Sequence, residues 1–136
     1  MLPAAVVLPV DSAGRLLLVR PTGEDDRWDL LGGAVDPGES PAEAAVRESR
    51  EEIGVEVRLL DLIGVFGGSD YVVTYPNGDR VEYVSAAYTA EIMSGEPIPD
   101  GDEISEAAWF AVADLPGLAL GRSARALFRE AGYLTA

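Results

Sequence analysis

The chain has 136 residues, 24 of them acidic and 10 basic, with neither histidine nor cysteine and a formal charge of −14. Disulfides, thiolate nucleophiles, zinc–thiolate sites and imidazole chemistry are therefore excluded, and so much negative charge argues against a surface for duplex nucleic acid. At 48% apolar and 25% charged residues the composition is that of a folded globular protein, and the length suits a single domain over 1–136 whose chemistry rests on carboxylates, tyrosines, arginines and oxygen-binding metals.

Taken in order, Ala4 to Val10 and Arg15 to Arg20 are β-branched or leucine-rich runs joined by Asp11-Ser-Ala-Gly14, which predicts a hairpin. Met1 to Val10 is apolar, yet it has no basic leader region, contains prolines and is too short to span a bilayer, so a cytoplasmic protein without membrane attachment is the expected reading. Leu16 to Val19 is continuously apolar, as in a strand covered on both faces. A polar loop over Pro21 to Arg27 leads to a short strand at Trp28 to Leu31 and then to Gly32-Gly33, where the missing side chains permit a tight turn and close approach to a ligand.

Ser40, Pro41 and Glu43 supply the N-cap, first-turn proline and N3 acid of a capping box, and Gly54 is a stop, so the chain is expected to be helical from about Pro41 to Ile53. At about 100° per residue, Glu48, Glu51 and Glu52 fall within roughly a 100° arc, while Ala42, Ala45, Val46, Ser49 and Ile53 form the stripe expected to pack on a sheet. Carboxylates clustered near a helix C-terminus repel one another and oppose the macrodipole. A hard cation would relieve that conflict.

Val57 to Phe66 reads as a strand with a bulge at Gly64, and Tyr71 to Tyr75 and Val81 to Ala90 as a hairpin turned by Asn77-Gly78. An acidic, glycine- and proline-containing loop over Ser94 to Asp102 precedes a strand at Ala107 to Val112, and Arg122 to Ala131 has the composition of a terminal helix. Strands that flank one helix and precede a second predict an α/β protein with a mixed sheet in an α/β/α sandwich. Arg20, Arg27 and Arg80 are candidates for phosphate contact, and Trp28 and Tyr75 for stacking on a base, although aromatics in so small a domain mostly serve the core.

The spacing Gly33, five residues, Glu39, seven residues, Arg47-Glu48, two residues, Glu51-Glu52, one residue, Gly54 resembles the Nudix box of the MutT-like and ADP-ribose-pyrophosphatase-like hydrolases. Seven fixed identities match by chance roughly once in 10⁸ to 10⁹ starting positions, which makes coincidence a poor account. The order of the flanking strands and the Glu103 to Pro116 segment extend the resemblance over most of the chain. Three positions depart from it: Ser49 replaces an aliphatic residue, Leu31 a proline, and Asp36 a glutamate.

The resemblance implies hydrolysis of a nucleoside diphosphate linked to another moiety, assisted by Mg²⁺ or Mn²⁺. It implies Glu48 and Glu52 as metal ligands, Glu51 as a third ligand or one acting through water, and a carbonyl of Gly32 or Gly33 completing the site. Glu48, Glu51 or Glu103 would serve as general base, with Glu106 the rival to Glu103. Arg47 is too basic for that role and would pair with Glu39 or Glu51, binding loop to helix. Glu39 and Gly54 then act structurally. A small-molecule substrate is implied, and the resemblance also allows a homodimer. Two other readings are a nucleotide-binding sensor of the same fold without turnover, and an acidic interaction module binding Ca²⁺, whose ligand spacing does not fit an EF-hand loop.

Overall fold

The computed structural model describes residues 1–23 and 26–135. Its strands are β1 (Leu2–Pro9), β2 (Leu16–Pro21), β3 (Leu31–Ala34), β4 (Glu56–Phe66), β5 (Val72–Thr74), β6 (Arg80–Ser94) and β7 (Ile104–Phe110). The helices are α1 (Pro41–Ile53) and α2 (Arg122–Glu130), with short 3₁₀ turns at Ser69–Tyr71 and Val112–Gly117. One sheet runs in the order β3-β1-β6-β4, with β5 also paired to β6; a second contains β2 and β7. The β1–β6 pairing is parallel and the others are antiparallel, so the larger sheet is mixed.

Both sheets are sandwiched between the helices, which follows from the twofold alternation of strand side chains. On β1, Ala5 and Val7 join Ala44, Ala45 and Ile53 of α1, together with Leu17 and Val19 of β2. Leu8, Leu16 and Leu18 face the other way, onto Phe128 and Ala124 of α2. Leu16 to Val19 is thus buried on both faces, and the observed architecture is α/β/α. Among the described residues no helix is long and apolar enough to cross a membrane.

The hairpin expected between the first two strands does not form. β1 already has β3 on one edge and β6 on the other, so β2 pairs along its length with β7 and meets the end of the first run through a Val10–Leu16 bridge. The Asp11 turn is real, its carboxylate accepting the Ala13 and Arg15 N–H groups, but it hands the chain from one sheet to the other. The glycine pair is also displaced from its expected place: Gly32 and Gly33 lie within β3 opposite Val6 and Ala5, rather than in a turn. Gly32 has φ of 145°, and a Cβ there would come within 2.2 Å of the Ala5 carbonyl oxygen. Only glycine lets β3 approach β1 so closely.

The Asn77-Gly78 turn closes the β5–β6 hairpin, with Val73 opposite Val81. Pairing breaks register between Leu62 and Gly64 of β4, where the bulge was expected. β6 runs on to Ser94, beyond the expected Ala90, because β4 continues to supply partners as far as Glu56. α1 spans its expected residues. Its capping box is complete, Ser40 accepting the Glu43 N–H at 3.1 Å while Glu43 accepts the Ser40 N–H at 2.9 Å, and Gly54 closes it at φ 68°. Replacing Ser40 by alanine removes half of that reciprocal pair and is expected to destabilise the protein by about 1 kcal/mol in urea denaturation, with Ser40→Thr retaining most of the stability.

Candidate metal centre and substrate cleft

The face of α1 turned to β3 is acidic. Glu48 and Glu52 are only 8% and 5% exposed, and the helix buries them together with Ala44, Ala45, Ser49 and Ile53. Glu51 does not share this face; it is exposed and accepts a hydrogen bond from Arg47 Nη1 at 3.0 Å. The expected arc of three carboxylates therefore splits, because β3 has no side chains at its two glycines and α1 sinks against it there. The Gly32 N–H donates to Glu52 Oε1 at 3.2 Å, and a Cβ on Gly33 would lie 2.7 Å from Glu48 Oε1.

Burial pushes the Glu52 carboxyl up to about 8; the Gly32 N–H opposes this, while the negative charges of Glu48, Glu103 and Asp100 reinforce it. Burial also raises Glu48, partly offset by Arg47. Arg47 is the counter-charge of the whole cluster. Its Nε and Nη2 hold Glu39 at 2.7 and 3.0 Å, Nη1 reaches Glu48 at 3.1 Å, and Nη2 also bonds the Ala34 carbonyl at 3.1 Å. That fork binds the loop after β3 to the helix and holds the Glu39 carboxyl below its ordinary value.

A second loop meets the site from the far side of α1. The Ile98 and Asp100 N–H groups donate to the Ile53 and Glu52 carbonyls, each at 3.0 Å. One oxygen of Asp100 then accepts three backbone N–H groups, from Asp102, Glu103 and Ile104. Together with the Thr22 N–H on the Glu103 carbonyl at 2.8 Å, this turn presents Glu103 to the same cleft as Glu52. Glu106 is placed elsewhere, paired with Arg20 at 2.8 Å.

The cleft has a volume of about 320 Å³ and is lined by Glu52, Glu103 and Gly33 on one side and by Tyr71, Tyr75 and Tyr83 on another. Among the described residues no arginine or lysine lines it. The profile of the NUDIX domain matches residues 1–131. The chain belongs to the Nudix hydrolase family. A protein named NAD-capped RNA hydrolase NudC from Pseudomonas entomophila is 35% identical over 121 residues, which are 89% of this chain and 40% of the relative. The chain thus spans about 40% of the length of the curated relatives it matches. A MutT NUDIX hydrolase from Burkholderia pseudomallei superposes with a TM-score of 0.76 at 30% identity, covering 94% of this chain and 95% of that one. A MutT protein from Methanosarcina mazei Go1 superposes at 0.80 with 22% identity, covering 96% and 92%, a likeness of fold.

Of the residues expected around the Nudix helix, the structure gathers Gly32, Gly33, Glu39, Arg47, Glu48 and Glu52, with Glu103 across the cleft. Among the described residues no group of three or more carboxylates is already arranged to hold a metal ion, since Arg47 draws Glu51 aside. The donors that remain are anionic or carbonyl oxygens, which suit a hard divalent cation.

The expected substrate contacts are scattered. Tyr75 lines the cleft, its hydroxyl 2.6 Å from that of Tyr83. Trp28 is corrected from a stacking platform to a core residue: it is 8% exposed, with Phe110 edge-on at 4.9 Å and the Arg20 guanidinium 4.4 Å above its ring. Arg20 is held there by Glu106 and Trp28 and does not line the cleft; Arg27 is exposed outside it, and Arg80 borders a separate depression with Met1 and Val72. Asp29 and Asp100 were missed. For Asp100 the local pattern Asp-Gly-Asp-Glu, characteristic of a side-chain-capped turn, was available; for Asp29 no local signal exists.

A carboxyl raised in the native state stabilises that state while protonated, and this contribution is lost as pH climbs through its folded value. In chelating buffer the protein is expected to lose stability as pH rises between about 4.5 and 8, the ordinary and native values for Glu52. Urea denaturation at several pH values checks this, and Glu52→Gln is expected to flatten the slope.

Proposed function

We propose that the chain is a divalent-metal-dependent hydrolase that cleaves the phosphoanhydride of a nucleoside diphosphate linked to another moiety. The observation that carries this reading is the pair Glu48 and Glu52, buried against the glycine strand at the edge of a cleft, with Arg47 as counter-charge to Glu48 and the Gly32 N–H bonded to Glu52. Two buried carboxylates so weakly compensated favour uptake of a cation.

Glu48, Glu52 and the carbonyl of Gly33 or Gly32 would hold Mg²⁺ or Mn²⁺, with Glu51 joining on release from Arg47. When bound, the cation supplies charge neutralisation and polarisation of the phosphoryl group. The chain's own residues do the rest. Arg47 keeps Glu39, Ala34 and Glu48 in one arrangement, so the loop after β3 cannot drift from the helix. Glu103, exposed to the cleft and pinned by the Asp100 turn, accepts the proton of the attacking water as its oxygen bonds to phosphorus and the bridging P–O bond breaks. Glu48 is less suited to that task because Arg47 already occupies its Oε1.

The cleft next to Glu52 takes the nucleoside, its tyrosines supplying flat apolar surface. The name of the Pseudomonas relatives adds a dinucleotide diphosphate to the candidate substrates. The protein is to be assayed against nucleoside triphosphates, ADP-ribose, dinucleotides and nucleotide sugars, with Mg²⁺, Mn²⁺ or chelator. Metal-dependent release of phosphate groups from at least one is expected, and none from any would overturn the reading. Glu52→Gln is expected to lower kcat on the order of 100-fold or more while leaving the circular dichroism spectrum unchanged. Glu103→Gln is expected to lower kcat while calorimetry shows metal affinity retained; a normal kcat would assign the base elsewhere.

A further inference from the structure

Asp29 takes no part in the chemistry above, yet it is fixed more firmly than most loop residues. Its N–H donates to the Val19 carbonyl at 2.7 Å, and its own carbonyl accepts the Val19 N–H at 3.0 Å. Its carboxyl lines the cleft at the end where α2 begins. Oδ1 accepts the Leu30 N–H at 2.8 Å, and among the described residues no hydrogen bond reaches Oδ2. Gly121 makes room for it, since a Cβ there would lie 2.9 Å from Oδ2.

Among the described residues the cleft around this group is lined by three acids, Glu52, Glu103 and Asp29, and by no basic side chain. Away from the metal centre it therefore disfavours phosphate and suits an uncharged, flat group lying against Tyr75 and Tyr83. A polar group open to such a cleft is costly unless the ligand completes its hydrogen bonds, so it discriminates between ligands that do and do not. Two of the tyrosine hydroxyls satisfy each other at 2.6 Å, and Tyr71 donates to Glu130 at 3.1 Å, whereas Asp29 keeps bonding capacity to spare at Oδ2.

We propose that Asp29 determines base specificity in this cleft, its carboxyl pairing with the amino group and neighbouring ring nitrogen of an adenine-type base held among the tyrosines. This rests on the nucleoside occupying the cleft as described above. Oδ1 has a second lone pair for the amino group, and a hydroxyl at Oδ2 faces the ring nitrogen. Enclosure raises the Asp29 carboxyl from its ordinary value, in the direction of that neutral acid form. Hypoxanthine has the same outline with a carbonyl in place of the amino group and N–H in place of the ring acceptor. It would oppose both bonds.

Adenosine and inosine test this without metal or phosphate. In chelating buffer, titration calorimetry is expected to show adenosine binding at least about tenfold more tightly than inosine. Asp29→Asn, whose amide also sets a donor beside an acceptor, is expected to keep the preference, and Asp29→Leu to abolish it. In the metal-loaded enzyme the ratio of kcat/KM for ADP-ribose over its hypoxanthine analogue should fall in Asp29→Leu in parallel. Equal binding of the two nucleosides, tighter binding of inosine or guanosine, no measurable binding, or a preference surviving in Asp29→Leu would overturn the proposal. Should Asp29→Leu fail to fold, the wild-type comparison and Asp29→Asn decide. Preference for adenosine without turnover of any diphosphate would sustain this inference and count against the hydrolase reading alone.

Discussion

One guanidinium holds the site together. Arg47 spans from the loop after β3 to the buried face of α1, with Glu39 engaged on two nitrogens and Glu48, Glu51 and the Ala34 carbonyl on the remaining donors. Its planar fork makes this possible, since a lysine ammonium is a single point with no fixed divergence of donors. Around it two glutamates lie nearly out of water. Arg47 partly compensates Glu48 but makes no bond to Glu52, which has only the Gly32 N–H and is accordingly the more strongly raised of the two.

What the sequence makes legible here follows the range of the interaction. The helix start and stop were readable because Ser40, Glu43 and Gly54 act on backbone three or four residues away. The β5–β6 hairpin was readable for the same reason, through Asn77-Gly78. The partner of β2 was not, because it depends on β1 having both edges filled by segments distant in sequence. Helical spacing places Glu48, Glu51 and Glu52 on one arc, but which of them is buried depends on where the glycine strand crosses, and Glu51 falls just outside that contact. Trp28 was misplaced because nothing local shows that Arg20 and Phe110 close over its ring. Ser49, a departure from the usual aliphatic residue, is fully buried and satisfies its hydroxyl on the Ala45 carbonyl at 2.9 Å.

The distribution of charge separates two tasks. The arginines at positions 20 and 47 are held by carboxylates, and among the described residues the charged side chains lining the cleft are all acidic. In the proposed reaction, attraction for a diphosphate would arise at the glutamate pair once a cation is present, and the remainder of the cleft would read the uncharged part of the ligand. A protein of this net charge also approaches polyanions poorly from a distance, so on the proposed reading the field that draws substrate in would be local and conditional on metal.

The parallel pairing of β1 with β6 has a further consequence, for assembly. Leu2 pairs with Tyr83 and Pro9 with Ala90, more than half the chain apart, whereas β3, which carries the site glycines, pairs among the described residues with β1 alone. Contacts this remote in sequence close late, after shorter loops have formed. During synthesis β1 has no neighbour on its β6 edge until that strand has emerged, so the glycine strand and the glutamates packed on it reach their final positions among the last parts of the molecule to do so. A local helix signal can be complete early, but the site it belongs to is a property of the closed sheet.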